Sequence, residues 1–144
     1  MTSYVEHAQI LVTDLSKTAQ FYTRLFEDWR IRAHGREIFG AKLYDWMHIG
    51  TETSYMAFRE HYEGEARREP GAEVLSNHIG IVVDDIEAIV LRLNDMGIDP
   101  FRSTHPYRLR AYVRDPDGYE LELIQYLTED NRLRNDCDWC VEQG

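Results

Sequence analysis

The chain has 144 residues, with 26 acidic against 16 basic side chains and a formal net charge of −10, a balance that opposes nucleic acid or anionic membrane surfaces and favours small-molecule partners. No stretch approaches the roughly 18 apolar residues of a membrane-spanning helix, and Met1 to Glu6 lack a basic segment leading into an apolar run, so a cytoplasmic location is expected. The length suits a single domain, 1–144, that buries its core without disulfides or a structural metal.

Tyr4 to Val12 alternates and is rich in β-formers, which predicts a strand, and Asp14 is placed to cap the helix that follows. That helix is expected from Leu15 to about Asp28, with Leu15, Ala19, Tyr22, Leu25 and Phe26 on one apolar face. Three strands follow near Trp29 to Phe39, Lys42 to Ile49 and Ser54 to Arg59, divided by turn signals at Gly40 and at Gly50-Thr51-Glu52. A first module of about 4–60 therefore reads βαβββ. His61 to Glu73 is rich in charge, Gly and Pro, and residues of about 61–74 read as a connection or a lid.

The pattern then restarts. Leu75 to Val83 reads as a strand, Asp84 or Asp85 caps a helix through about Met96, and Gly97 stops it. Strands near Ile98 to Ser103, Leu109 to Asp115 and Tyr119 to Tyr126 complete a second βαβββ module of about 75–127, leaving a polar tail, 128–144. Cys137 and Cys140 form a lone Cys-x-x-Cys in that tail. Without a second pair or a helix-start context, the pattern favours a reduced surface pair over zinc or redox chemistry.

The restart is also visible residue by residue. Glu6-His7-Ala8-Gln9-Ile10-Leu11-Val12-Thr13-Asp14-Leu15 returns 71 positions later as Asn77-His78-Ile79-Gly80-Ile81-Val82-Val83-Asp84-Asp85-Ile86, each copy opening on one histidine. The second module closes with Asp115-Pro116-Asp117-Gly118-Tyr119-Glu120-Leu121-Glu122-Leu123, a hairpin turn feeding a strand. Both repeat starts and this last motif, over about residues 4–127, resemble the vicinal oxygen chelate superfamily, which includes glyoxalase I, extradiol dioxygenases, fosfomycin-resistance proteins and bleomycin-resistance proteins.

The resemblance implies an α+β fold in which two βαβββ modules form an open, roughly eight-stranded cup around a metal site. It also implies that His7, His78 and Glu122 bind one divalent ion. Two neutral imidazoles and one carboxylate leave coordination positions open, as a catalytic metal requires. Strand parity puts Glu120, Ile124 and Tyr126 on the face of Glu122 and sends Leu121 and Leu123 to the helices. One departure stands out: glyoxalase I-like proteins carry a further metal-binding glutamate on the last strand of the first module, where this chain has Ala57, with Tyr55 and Arg59 at the same parity.

Tyr112 stands ten residues before Glu122, which resembles the spacing of an acid-base tyrosine in extradiol dioxygenases, and His61 and His105 fall loosely where those enzymes carry further histidines. Arg108 and Arg110 share the face of Tyr112 and are candidates to orient an anionic substrate, because a guanidinium fork matches a carboxylate or phosphate. Tyr44, Trp46 and Phe39 offer either an aromatic wall or ordinary core. The resemblance thus implies a metal-dependent homodimeric enzyme, leaning to an Fe2+ dioxygenase. A lyase, isomerase or transferase using Mn2+, Ni2+ or Zn2+, and a ligand-sequestering protein of the bleomycin-resistance kind, stand as alternatives.

Overall fold

Two aspartates start the two long helices. In the computed structural model, which describes residues 3–65 and 78–136, the Asp14 carboxylate accepts the backbone N–H of Lys17 at 3.0 Å and opens α1, Leu15–Leu25. Asp85 accepts both Glu87 N and Ala88 N and opens α2, Ile86–Asp95. Each cap satisfies donors that the first helical turn leaves without partners. Cys137 and Cys140, the start of the strand at Leu75 and most of the connection lie outside the described residues.

The described residues fall into two units, the first holding 3–65 with 115–119 and the second 78–114 with 120–136. In the first, β1 (His7–Leu11), β2 (Arg30–Phe39), β3 (Lys42–Gly50) and β4 (Tyr55–Arg59) form a sheet in the order β1-β4-β3-β2. In the second, β5 (Ile79–Val82), β6 (Phe101–His105), β7 (Arg108–Arg114) and β8 (Glu120–Tyr126) repeat it as β5-β8-β7-β6. The β1–β4 and β5–β8 pairs are parallel and the rest antiparallel. The fold is thus two βαβββ modules, as the duplication predicts. A short α3, Asn131–Arg134, follows β8.

Each sheet buries one face under its own helix. Leu15, Ala19, Phe21, Tyr22 and Leu25 of α1 are buried, as are Ile10, Ile49, Met56 and Phe58 of the first sheet. In the second unit, Ile86, Ile89, Val90 and Leu93 of α2 are buried along with Ala111, Val113, Leu121 and Leu123. Burial of this apolar surface is the main favourable term in each unit.

Several boundaries differ from the periodicity: β1 opens at His7 and not Tyr4, and two further shifts have a visible cause. α1 ends at Leu25, not near Asp28, because Phe26 turns to an extended conformation and sets its ring 4.5 Å from Trp29. β6 begins at Phe101 and not Ile98, because Ile98 N is taken up by Leu93 O at 2.8 Å beyond the left-handed Gly97 (φ +77°). Aromatic packing and helix termination override strand propensity there.

The Asp115–Tyr119 turn belongs with the first unit. Asp115 Oδ1 accepts Asp117 N and Tyr119 N, each at 2.9 Å, and Gly118 supplies the positive φ of +89°. Asp115 Oδ2 accepts the buried Tyr22 hydroxyl at 3.0 Å, Asp117 accepts Thr13 N, and the Tyr119 hydroxyl donates to Leu11 O at 2.9 Å. The acidic residues of the motif turn are therefore occupied with structure.

Candidate functional site

In the second unit one row of the sheet sets the chemistry. Gly80, Glu122 and Tyr112 are register partners across β5, β8 and β7. Glu122 is mostly buried, and both its oxygens are engaged. The Tyr112 hydroxyl donates to Oε1 at 2.6 Å, and His78 Nε2 lies 3.0 Å from Oε2. Arg110 Nη1 stands 4.0 Å from Oε1, while its Nε donates to Ser103 Oγ at 3.0 Å. Gly80 keeps the neighbouring position open, since an added Cβ would meet only the tip of Ile124 at 3.8 Å.

Burial, and then the hydrogen bond to Glu122, pushes the Tyr112 phenol above its usual range. Tyr112 therefore holds its proton against a carboxylate acceptor, an arrangement suited to handing a proton over when the acceptor's environment changes. Arg110 adds positive charge beside the same carboxylate.

On the first unit, His7 lies at the start of β1 with Nδ1 3.1 Å from Glu6 Oε2 and its ring stacked on Tyr55 at 4.8 Å. A carboxylate on Nδ1 favours the tautomer that leaves the Nε2 lone pair free, the form a metal takes. Gln9, Ala57 and His48 form one register row across β1, β4 and β3. The two carboxylates nearest Ala57 in sequence have other employment: Glu60 Oε1 accepts Leu15 N at the start of α1, and Glu52 pairs with Arg30. The glutamate missing at Ala57 is not replaced by either. His48 is held below its usual range by burial, and then by His7 and Arg32.

The donor chemistry fits a divalent ion. An imidazole nitrogen and a carboxylate oxygen 3.0 Å apart lie within the span of two ligands that share one ion at about 2.1 Å each. Among the described residues, no group of three His, Cys, Asp or Glu side chains is gathered tightly enough to hold an ion. His78, Glu122, Tyr112 and Arg110 are brought together.

The remaining candidates stand apart from that cluster. Arg108 is buried and donates to Arg134 O at 3.2 Å, at the end of α3. His105 closes β6, accepting Tyr107 N on Nδ1 and facing Asp136 at 3.8 Å through Nε2. His61 lines a hollow of about 180 Å³ on the first unit with Arg36, Tyr44, Asp45 and Glu63. Phe39 lies exposed at the end of β2, whereas Trp46 and Tyr44 share one face of β3. Sequence reasoning missed Glu6 and Ser103. Glu6, beside a candidate ligand histidine, was the one legible signal.

Comparison with known proteins agrees with the fold. Residues 4–123 match the model of the Glyoxalase/Bleomycin resistance protein/Dioxygenase superfamily. A probable lactoylglutathione lyase of Vibrio cholerae is 32% identical over 124 residues, 83% of this chain and 88% of that protein, and one of Vibrio parahaemolyticus is 30% identical with the same coverage. The crystal structure of a glyoxylase/bleomycin resistance protein/dioxygenase domain from Frankia sp. EAN1pec superposes with a TM-score of 0.71 at 21% identity, covering 88% of this chain and 99% of that one.

Proposed function

Because the chain belongs to the glyoxalase/bleomycin resistance protein/dioxygenase superfamily, we infer that it is a divalent-metal-dependent enzyme acting on a small anionic substrate with vicinal oxygens. The observation that carries this reading is Glu122, with His78 on one oxygen and the Tyr112 hydroxyl on the other. His78 and Glu122 are the ligands in this reading, and His7, assigned by its place in the repeated motif, is the third. The functional unit is a homodimer. A divalent ion held there would supply Lewis acidity.

The chain's own residues do the rest. Tyr112 holds a proton at its hydroxyl oxygen and exchanges it with the substrate carbon or oxygen beside Glu122. Arg110, held by Ser103 and standing 4.0 Å from Glu122, orients the anionic end of the substrate. With Ala57 in place of a second carboxylate, proton transfer falls to Tyr112. Relatives named lactoylglutathione lyase at 30–32% identity favour a lyase or isomerase using Ni2+, Zn2+ or Mn2+.

A second reading is an Fe2+ dioxygenase. It is favoured by the donor set itself, two imidazoles and a single carboxylate, which suits non-haem iron with positions free for substrate and oxygen. Metal analysis of protein purified without oxygen tests both. One divalent ion per chain, lost in His78→Ala, is expected. Bound iron with oxygen uptake on a catechol-type substrate selects the second reading, and a redox-inert ion without uptake selects the first. Full metal content in His78→Ala would overturn the ligand assignment.

A further inference from the structure

Two shielded donors on the first unit have no acceptor among the described residues. Arg32 Nη1 and Trp46 Nε1 are buried and make no hydrogen bond there, a costly state for an indole and more so for a guanidinium. They share a neighbourhood. The Arg32 guanidinium lies over the Tyr55 ring at 4.2 Å, Tyr55 is 4.7 Å from His48, and His48 is 4.7 Å from Trp46.

Strand register explains the cluster. Trp46 and His48 alternate on one face of β3, opposite Gly35 and Ala33 of β2, and Tyr55 lies on the adjoining strand β4. Gly35 is needed there, because the indole comes within 3.2 Å of where a Cβ would sit. Arg32 stands at the irregularity between Ile31 and Ala33, the point where β2 slips its register against β3. A bulge of this kind re-aims the side chain it carries.

Arg32 also lacks a counter-ion among the described residues. Its neighbours on β2 do not: Arg30 pairs with Glu52, and Arg36 pairs with Asp45 at 2.8 Å. In a chain with 26 acidic residues, a half-buried guanidinium left over from pairing and stacked on an aromatic ring is matched to an anion from outside. The geometry points to this face of the first sheet as a binding site for a planar carboxylate, held by the half-buried Arg32 guanidinium with its conjugated body against the ring cluster of His48 and Trp46. A carboxylate suits the guanidinium fork, flat rings suit a flat ligand, and the net charge of −10 disfavours a dianion such as phosphate. Identifying that carboxylate as the anionic end of the enzyme's substrate rests on the proposed function. Binding of the carboxylate itself does not.

The test uses the full chain, treated with chelator so that no metal–carboxylate bond contributes, and titrated with benzoate. The reporter is the Trp46 indole N–H resonance, assigned by its loss in Trp46→Phe. A saturable shift with benzoate and none with benzyl alcohol is expected, and Arg32→Gln should weaken binding at least tenfold. Arg32→Lys, which keeps the charge without the fork, should fall between. Absence of a saturable benzoate shift means that water satisfies these donors and overturns the proposal, as does equal affinity in Arg32→Gln. Tighter binding of inorganic phosphate than of benzoate overturns the choice of a planar carboxylate. Benzoate binding without any metal binding by untreated protein would overturn the proposed function alone.

Discussion

Tyr112 donates its hydroxyl hydrogen to Glu122 Oε1 at 2.6 Å, the short distance typical of a hydrogen bond to an ionised acceptor. The two residues face each other across β7 and β8, so sheet register and not a loop holds the pair. Tyr112→Phe removes the proton and keeps the ring. If Tyr112 moves protons in turnover, kcat should fall by roughly 10²- to 10⁴-fold, while metal content changes little. Unchanged kcat in this variant would assign Tyr112 to positioning Glu122 alone.

A second buried pair governs stability. Tyr22 donates to Asp115 Oδ2 at 3.0 Å inside the first unit, and Tyr22→Phe should cost about 1.5–3 kcal/mol, the range for a hydrogen bond to a charged group. Chemical denaturation at neutral pH measures it. A loss below about 0.5 kcal/mol would mean that the carboxylate finds another donor.

The same pair sets a pH dependence. Burial raises the folded-state pKa of Asp115 above its ordinary 3.8, and burial and then Asp115 raise Tyr22 well above 10.0. Both shifts favour the protonated form on folding. The Asp115 contribution is therefore complete below about pH 3.8 and is lost as pH rises through the raised value, and the Tyr22 contribution is complete below about pH 10 and lost above it. Asp115→Asn should flatten the acidic limb of a stability–pH curve, and Tyr22→Phe the alkaline limb. Parallel curves for wild type and Asp115→Asn would refute the first assignment.

What could be read from the chain follows the range of the interactions involved. Caps at Asp14 and Asp85 and the stop at Gly97 are contacts within a few residues, and they are where local chemistry puts them. Parity was equally legible: Leu121, Leu123 and Ala111 are fully buried, and Glu122 and Tyr112 share the opposite face. Arg32 was not legible, because its orientation depends on a register slip between β2 and β3 that no local pattern encodes. Nor was Arg108, whose alternating strand placed it beside Tyr112 but whose guanidinium is drawn to Arg134 O, 26 residues away. Glu60 and Glu52 have partners only the fold supplies.

Gly50 joins the fold of the first unit to His7. The sequence suggests only a turn, yet Gly50 is the last residue of β3, paired with Tyr55, and a Cβ there would stand 2.4 Å from Ser54 O and 2.5 Å from Tyr55 Cα. Backbone cannot yield as a flexible side chain does, so Gly50→Ala must shift the β3–β4 corner. Tyr55 carries the ring on which His7 stacks at 4.8 Å and over which Arg32 lies. The variant should lose about 1–3 kcal/mol of stability, the usual cost of overpacking, and should weaken benzoate binding without touching any residue proposed to bind it. A folded Gly50→Ala protein with wild-type stability and benzoate affinity would show that this corner is looser than its close approach implies.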